Sequence, residues 1–402
     1  MGMDLPAREP LLRALIDICG PDFARTARRA DAVAGRRASF VAFPATGQAV
    51  ADTLRLATGR GLAVVPRGAG SKLDWGSPPA GVDLLLDLRR LAGIRHHDVE
   101  LMTAEIAAGT SVRAAQAALA LRGQRLAVDP PSPAATLGGM LALDETGPLR
   151  HRFGTAADQV NHITYATRDG HRRTSDGFDG PAGIGGVVLS AHMRLEPVPA
   201  ARRWVSVPVT TPRDIHDLVQ ETLAQRVTPS AIEIDLPAAP KPGSLAAQPG
   251  SLAVPPGSLA VPPGSLAVLL EGDPAEVADR AARLRRALET PAAATSMPPP
   301  WWGRYPFGPS DVALRIEVPT ADLQAAVFAL RDVAGTPVPV RGAAGRGIVH
   351  AALPASLGLA HTERVLDAVR GVLLARGGRC VAIAAPPEIS AELDMASRQD
   401  LG

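Results

Sequence analysis

Aromatic side chains are scarce in this 402-residue chain, which has 7 Phe, 4 Trp and 2 Tyr. Its core must therefore be built from Val, Leu, Ile and Ala. Cysteine is nearly absent. Only Cys19 and Cys380 could pair, which excludes a disulfide framework and fits a reducing compartment. Charge of either sign barely prevails, with 42 Lys and Arg against 40 Asp and Glu. No basic field invites nucleic acid. No apolar run is long enough to span a bilayer. The start, Met1-Gly2-Met3-Asp4-Leu5-Pro6, lacks the basic region and apolar core of a signal peptide. Pro6 also stands where a myristoylation motif wants Ser or Thr. A cytoplasmic chain is expected, peripheral to a membrane only through partner subunits. Metal-ligand spacing is missing too. His162, His171 and His192 are too irregularly placed, and the adjacent His96-His97 would point to opposite faces of a strand. No metal site is expected. No Gly-x-Ser-x-Gly elbow occurs, and neither cysteine has an activating setting.

What is present suggests two domains, since the chain exceeds the size at which single cores stop growing. The unit Pro242-Gly243-Ser244-Leu245-Ala246 recurs at Pro249, Pro256 and Pro263, a period of seven. Proline in each copy forbids a continuous helix, so this is no coiled coil. It reads as a surface loop over 240–264, running into an apolar strand at Leu266–Leu270.

Strand and helix signals alternate along the rest. Thr46 is placed to cap a helix through about Thr58, with Gly59 and Gly61 to end it. Leu62–Pro66, Val82–Leu88 and Leu101–Ile106 read as strands. Thr110 or Ser111 opens a helix ending at Gly123, and Thr136 opens a short one. After Pro199 come strand Val205–Val209, helix Pro212–Gln225 and strand Ala231–Leu236. Asp273-Pro274 is an N-cap followed by Pro at the first helical position, opening a helix to about Leu288. Alternation from Val312 to Val318 predicts a half-buried strand, and Thr320 is placed to cap a helix ending at Gly335. A final unit has a strand near Gly347–Ala352, a helix His361–Arg376 and a strand Arg379–Ala384. This second part is expected to be α+β with helices on one face of a sheet.

The sharpest local signal is Val64-Val65-Pro66-Arg67-Gly68-Ala69-Gly70-Ser71-Lys72, followed by Gly76. A strand entering a Gly-rich turn can aim successive amides at one anion. The spacing is too short for a Walker A loop, and Leu73 stands where a dinucleotide fingerprint needs a third Gly. An ordinary strand-to-strand loop remains the alternative. Downstream, Asp129-Pro130 precedes Ala135-Thr136-Leu137-Gly138-Gly139. Two glycines at the start of a capped helix suit a phosphate, because helix N-termini carry free amides and partial positive charge. Gly147-Pro148-Leu149-Arg150-His151 and Gly154 follow.

In this order the segments resemble the FAD-binding domain of the vanillyl-alcohol-oxidase/PCMH superfamily, and within it the GlcE subunits of bacterial glycolate oxidase. The resemblance covers about residues 36–199. It implies an α+β chain: an N-terminal helical segment (1–35), a PCMH-type FAD-binding domain of two α+β subdomains (36–199) and an α+β ferredoxin-like cap domain (200–402). It implies that Gly68–Ser71 cradle the FAD diphosphate, with Pro66, Arg67 and Gly76 around them. Thr136, Gly138 and Gly139 would approach the diphosphate and ribityl chain. Asp129 and Pro130 would line the cofactor path, Arg150 and Gly154 would lie toward the flavin, and Gly186 and Val187 beside the adenine. Ser71 stands where covalent members often carry His, so a non-covalent flavin is implied. Lys72 would either offer charge to a phosphate or be a solvated loop lysine. His151 and Arg150 are the weak catalytic candidates. The implied activity is oxidation of a 2-hydroxy acid, glycolate or D-lactate, beside a larger flavoprotein subunit and an iron–sulfur subunit. A non-catalytic scaffold subunit and a stand-alone FAD oxidase are the alternatives.

The sequence departs from that family in places. Residues 171–182 are shorter than the family's stretch, and Ile184 and Gly185 replace Thr and Leu. Asp144 and Glu145 stand where small residues are usual, and would repel a dinucleotide unless they face solvent. Trp301-Trp302 would pack over the cofactor cleft or onto a partner. Arg341-Gly342-Ala343-Ala344-Gly345-Arg346 reads as a hairpin turn or a second anion loop.

Overall fold

The computed structural model describes residues 5–180, 185–238, 264–288 and 291–396. The repeat at 240–264 and the replacement at Ile184 lie almost wholly outside them. The chain forms two compact units. One holds residues 1–149, 153–198 and 396–402, the other 150–152 and 199–395.

The first unit opens with helix α1 (Leu5–Cys19), then strand β1 (Ala24–Thr26), the short hairpin β2 (Ala32–Val33) and β3 (Arg36–Arg37), and β4 (Phe40–Ala42). Residues 20–35 are thus not helical: β1 pairs antiparallel with β4 and joins this unit's own sheet. Helix α2 (Gly47–Gly59) follows, with the Ala49 amide donating to the Thr46 hydroxyl at 3.1 Å. Then come β5 (Val64–Arg67) and β6 (Leu84–Asp87). These strands form one sheet in the order β1-β4-β6-β5, with β6 parallel to both β4 and β5. Phe40, Leu84 and Leu86 pack on α1 and α2 through Leu11, Leu15, Val50 and Leu54. Burying each such side chain contributes roughly 1.5–3 kcal/mol.

A second sheet holds β7 (Ile94–Asp98), β8 (Thr103–Ala107), β10 (Val160–Thr167), β11 (Arg172–Asp176) and β12 (Gly186–Arg194), in the antiparallel order β11-β10-β12-β8-β7. Between β8 and β10 run α3 (Val112–Ala120), β9 (Gln124–Arg125), α4 (Leu137–Ala142) and the one-turn α5 (Arg150–Phe153), and after β12 the short β13 (Glu196–Pro197) pairs antiparallel with β9. Ser111 is the N-cap residue of α3 but makes no side-chain cap bond. The Thr110 hydroxyl instead accepts from the Gly93 amide.

The second unit is built twice on one plan. Strand β14 (Ala201–Val209), helix α6 (Pro212–Ala224), strands β15 (Ala231–Leu236) and β16 (Gly264–Gly272), helix α7 (Pro274–Ala287) and strand β17 (Ala293–Thr295) make the first copy. Strand β18 (Asp311–Glu317), helix α8 (Leu323–Ala334), strands β19 (Val340–Ala343) and β20 (Ile348–Pro354), helix α9 (Leu359–Leu374) and strand β21 (Arg379–Ala384) make the second. The eight-stranded sheet has the order β17-β14-β16-β15-β19-β20-β18-β21. Each half has the ferredoxin-like order 4-1-3-2, and the halves join edge to edge through β15 and β19. The second unit is therefore two ferredoxin-like halves sharing one sheet, where the sequence suggested one.

One continuous core joins alternate residues of these strands, such as Val205, Val207, Ile232, Ile234, Leu266, Val268, Leu314 and Ile316, to the four helices. Asp273 caps α7 by accepting from the Ala275 and Glu276 amides. Two local expectations need correction. Strand β18 is buried on both faces between its end residues, because Arg315 is covered and pairs with Glu317. Thr320 starts a short 3-10 turn, and α8 begins only at Leu323 without a side-chain cap.

Candidate functional site

Strand β5 ends at its C-terminal edge in the glycine turn, the end of a parallel strand at which α/β folds bind ligands. Gly68 lies so close to α4 that an added Cβ would stand 2.1 Å from the Thr136 hydroxyl oxygen. Gly70 holds φ at +81°, a region open to glycine and strained for other residues. Among the described residues, the amides of Ala69, Gly70 and Ser71 donate to no other group of the protein. Three successive amides thus remain available to an external acceptor.

Two adjoining cavities share this turn. One, of about 220 Å³, is lined by 65–73 together with Ala135, Thr136, Gly139, Ala142, Leu143 and Glu145. The other, of about 100 Å³, is lined by Pro66, Arg67, Gly68, Leu88, Ala108, Thr136, Gly138, Gly139, Ala142 and 186–188. The structure therefore brings together Pro66–Lys72, Thr136, Gly138, Gly139, Gly186 and Val187. Gly186 opens β12 and packs so tightly that a Cβ there would lie 2.2 Å from the Ala166 carbonyl oxygen. Gly76, Asp129, Pro130, Arg150 and Gly154 line neither cavity.

The start of α4 differs from the expected phosphate-binding helix end. Its Leu137 amide donates to the Thr110 carbonyl at 2.9 Å, and its Gly138 amide to the Ala108 carbonyl at 2.8 Å. The turn after β8 has consumed the amides that the helix-terminus argument requires. The Gly139 amide donates to the Thr136 hydroxyl at 3.3 Å. This end offers the cavity a hydroxyl and a small, close-packed surface.

The charged residues also sit differently from expectation. The Arg67 guanidinium joins a network around the buried carboxylates Asp31 and Asp87, donating to Asp87 at 2.7 Å and lying 3.4 Å from Asp31. Arg25 and Arg89 complete it, at 2.7 Å from Asp31 and 2.8 Å from Asp87. Burial opposes charge on Asp87, but hydrogen bonds from Arg89 and Arg67 outweigh it and hold the carboxyl below its ordinary range. The same balance at Asp31 favours ionisation. Burial is overcome by hydrogen bonds from Arg25 and the Arg28 amide and by the charges of Arg25 and Arg67, which lower the carboxyl to about 2. Lys72 is neither solvated nor presented as a lone charge: it is buried, 2.5 Å from Glu145. Glu145 is likewise not solvent-facing, and the Lys72 ammonium neutralises it inside the cavity wall.

The remaining candidates have structural partners. Asp129 accepts from the Leu149 amide at 3.0 Å, and a Cβ on Gly147 would lie 1.9 Å from the Asp129 carbonyl oxygen, so Asp129 fixes the turn before α5. Gly154 takes φ +75° beside Asp158, which accepts from the Thr155 amide at 2.7 Å. Gly76 turns the chain at φ +73°. Residues 150–152 belong by their contacts to the second unit. There His151 packs on Gly345, where a Cβ would stand 2.7 Å from Nδ1. Burial and the nearby Arg346 charge push its pKa down, which favours the neutral imidazole.

Trp302 stacks edge-on with Trp204 at 6.0 Å within the second unit. Residues 341–343 lie in β19 and Ala344–Arg346 form the short turn into β20, and Arg341 pairs with Asp235 at 2.7 Å. The sequence did not reveal a register row across the helix-free face, Asp235–Arg341–His350–Arg315. Period-two alternation within each strand was the available signal, but strand order was needed to align it. His97 lies on β7 and bonds Gln124 at 2.7 Å, while His162 and His192 stack at 4.5 Å. Among the described residues no group of His, Cys, Asp or Glu is arranged to hold a metal, and no helix is long and apolar enough to cross a membrane. Both cysteines are free thiols, and burial pushes the Cys380 thiol up to about 12.

Residues 38–176 match the FAD_binding_4 family, an FAD binding domain. The chain is 24% identical over 204 residues to a D-lactate dehydrogenase of Archaeoglobus fulgidus, a match covering 47% of this chain and 46% of that protein. It is 24% identical over 210 residues to the mitochondrial cytochrome-type D-lactate dehydrogenase of Arabidopsis thaliana, covering 48% and 36%. The match thus spans less than half the length of these relatives. Among solved structures, p-cresol methylhydroxylase superposes with a TM-score of 0.70 at 12% identity, over 96% of this chain and 90% of that one. Alkyldihydroxyacetonephosphate synthase gives 0.70 at 16% identity, over 92% and 80%. The fold is α+β, with a PCMH-type FAD-binding domain, and the cofactor of that domain is FAD. The cavity fits that group: glycine backbone, available amides at 69–71 and no unneutralised carboxylate among its named walls.

Proposed function

We propose that this chain is an FAD-dependent oxidoreductase subunit of the GlcE type, oxidising a 2-hydroxy acid such as glycolate or D-lactate within a multi-subunit complex. The observation that carries the reading is the convergence of the 68–71 turn, the Thr136 end of α4 and the start of β12 on one pair of cavities. The relatives named as D-lactate dehydrogenases support the substrate class.

In this reading Ala69, Gly70 and Ser71 donate amide hydrogen bonds to the diphosphate, and Thr136 adds its hydroxyl. Gly68, Gly138 and Gly139 admit the cofactor closely because they carry no side chain. Gly186 and Val187 close the adenine side. When bound, FAD supplies the two-electron oxidation that no side chain here can perform. FAD is held non-covalently, since Ser71 lacks the imidazole used for covalent attachment in relatives of this fold. The chain's residues bind and orient the cofactor and exclude water. His151, whose pKa is pushed down by burial and by the Arg346 charge, is the candidate proton acceptor. The larger flavoprotein and iron–sulfur subunits belong to this proposal as electron-accepting partners.

The test is purification of the chain with and without the neighbouring subunits, followed by anaerobic addition of glycolate or D-lactate. Bleaching of the flavin absorbance supports the reading. A flavin that binds but is not bleached by either acid, with the partners present, refutes the substrate class.

A further inference from the structure

We propose that the buried Lys72–Glu145 ion pair is a clamp that sets FAD affinity by holding the glycine turn in its binding shape, and that Lys72 is not a phosphate ligand. The inference deepens the reading above and rests on it.

The pair is short and dry. Lys72 Nζ lies 2.5 Å from Glu145 Oε2, and the two side chains are 4% and 3% exposed. The second Glu145 oxygen accepts the Ser132 amide at 2.9 Å. The ammonium also stands 4.7 Å from the centre of the Trp75 ring, within range of a cation–π attraction. Lys72 immediately follows the turn, and Glu145 lies shortly beyond the end of α4. Both line the larger cavity.

The turn is therefore fastened to the α4 segment at two points. Gly68 is pressed on Thr136 at one end, and Lys72 is bound to Glu145 at the other. The amides of Ala69, Gly70 and Ser71 lie between these points and donate to no group among the described residues. Loosening the clamp would free the turn that carries these amides, and ordering it again on binding would cost conformational entropy.

The rival role, Lys72 reaching the diphosphate, runs against the charges. Moving the ammonium off Glu145 would strand a buried carboxylate next to an entering dianion. An uncompensated buried charge is far more costly than a surface one, and like charges at close range disfavour ionisation. The same geometry makes Lys72 and Glu145 positioning residues that act through the 69–71 amides.

The two roles predict opposite signs for one substitution. Full-length apoprotein is titrated with FAD, following flavin fluorescence, and its thermal unfolding is recorded in parallel. Glu145→Gln releases the Lys72 charge beside the diphosphate. A clamp predicts weaker FAD binding, by roughly tenfold or more, which is about 1.4 kcal/mol per decade, at temperatures where the variant remains folded. A direct phosphate contact predicts binding as tight as or tighter than the unaltered chain, and that result overturns the proposal. The exchange variant Lys72→Glu/Glu145→Lys restores the bridge with its polarity reversed. Recovery of most of the lost affinity supports the clamp, whereas a folded exchange variant that binds no better than Glu145→Gln overturns it. If Glu145→Gln does not fold, the exchange variant compared with the unaltered chain decides in the same way. Failure of the unaltered chain to bind FAD would sink the underlying cofactor reading instead, and is seen before any variant is compared.

Discussion

Gly68→Ala is the most direct steric probe of the cavity. The new methyl group would stand 2.1 Å from the Thr136 hydroxyl oxygen, 3.2 Å from its Cβ and 3.3 Å from its Cγ2. Ordinary carbon–oxygen contact needs more than 3 Å, so the turn and α4 must separate by about 1 Å, and overpacking of that kind costs roughly 1–3 kcal/mol. Thr136 cannot rotate away freely, because its hydroxyl accepts the Gly139 amide and its backbone bridges Ser111. If half or more of the cost falls on the cofactor-binding geometry, FAD affinity drops by about one decade, since about 1.4 kcal/mol is tenfold. Titration of the apoprotein with FAD measures the drop, and a thermal melt measures the remainder. Gly59→Ala is the matched control, because a Cβ there meets nothing within 4 Å and alanine is the better helix former. A Gly68→Ala protein with unchanged affinity and unchanged melting temperature would refute the contact between the turn and α4.

Three further outcomes are expected. Thr136→Val removes the α4 cap and the cavity hydroxyl; it should lower stability by about 1 kcal/mol and weaken FAD binding, while Thr136→Ser should retain both, by melt and titration. Asp31 is lowered from 3.8 to about 2, so its stabilisation is fully present above pH 3.8 and is lost as pH falls toward 2. Asp31→Asn should therefore cost about 2 kcal/mol at neutral pH and flatten the acid-unfolding profile in that window, and a profile identical to the unaltered chain would contradict the assignment. Asp273→Ala deletes the cap of α7 and should destabilise the second unit by about 1 kcal/mol, read as a lower denaturation midpoint with FAD affinity unchanged.

Much of this molecule is written locally in its sequence. Thr46, Thr136 and Asp273-Pro274 each announce a helix start because a cap is a contact between near neighbours, and all three caps form. The glycine turn was legible for the same reason: the strand, the small residues and the positive φ of Gly70 are properties of a few consecutive positions. Contacts between distant positions were not. The partner of Lys72 lies at 145 and those of Arg67 at 31 and 87. The side chains of Arg67, Lys72 and Asp129 each have partners within the protein. The amides of Leu137 and Gly138 are spent on the turn after β8, a fact visible only once that turn and α4 are placed together. Doubling of the βαββαβ plan was hidden because the repeat is one of topology. Its seam, the β15–β19 pairing, joins strands separated in the chain by residues 240–264, strands β16, β17 and β18 and helices α7 and α8.

The central claim is that the turn at 68–71 and the Thr136 end of α4 receive the diphosphate of FAD. Parallel calorimetric titrations of the apoprotein with FAD, ADP and riboflavin test it most directly. FAD should bind tightly, ADP should compete with it, and riboflavin, which has no diphosphate, should bind at least a hundredfold more weakly, a difference of about 2.7 kcal/mol. Riboflavin binding as tightly as FAD, with ADP unable to compete, would contradict the account.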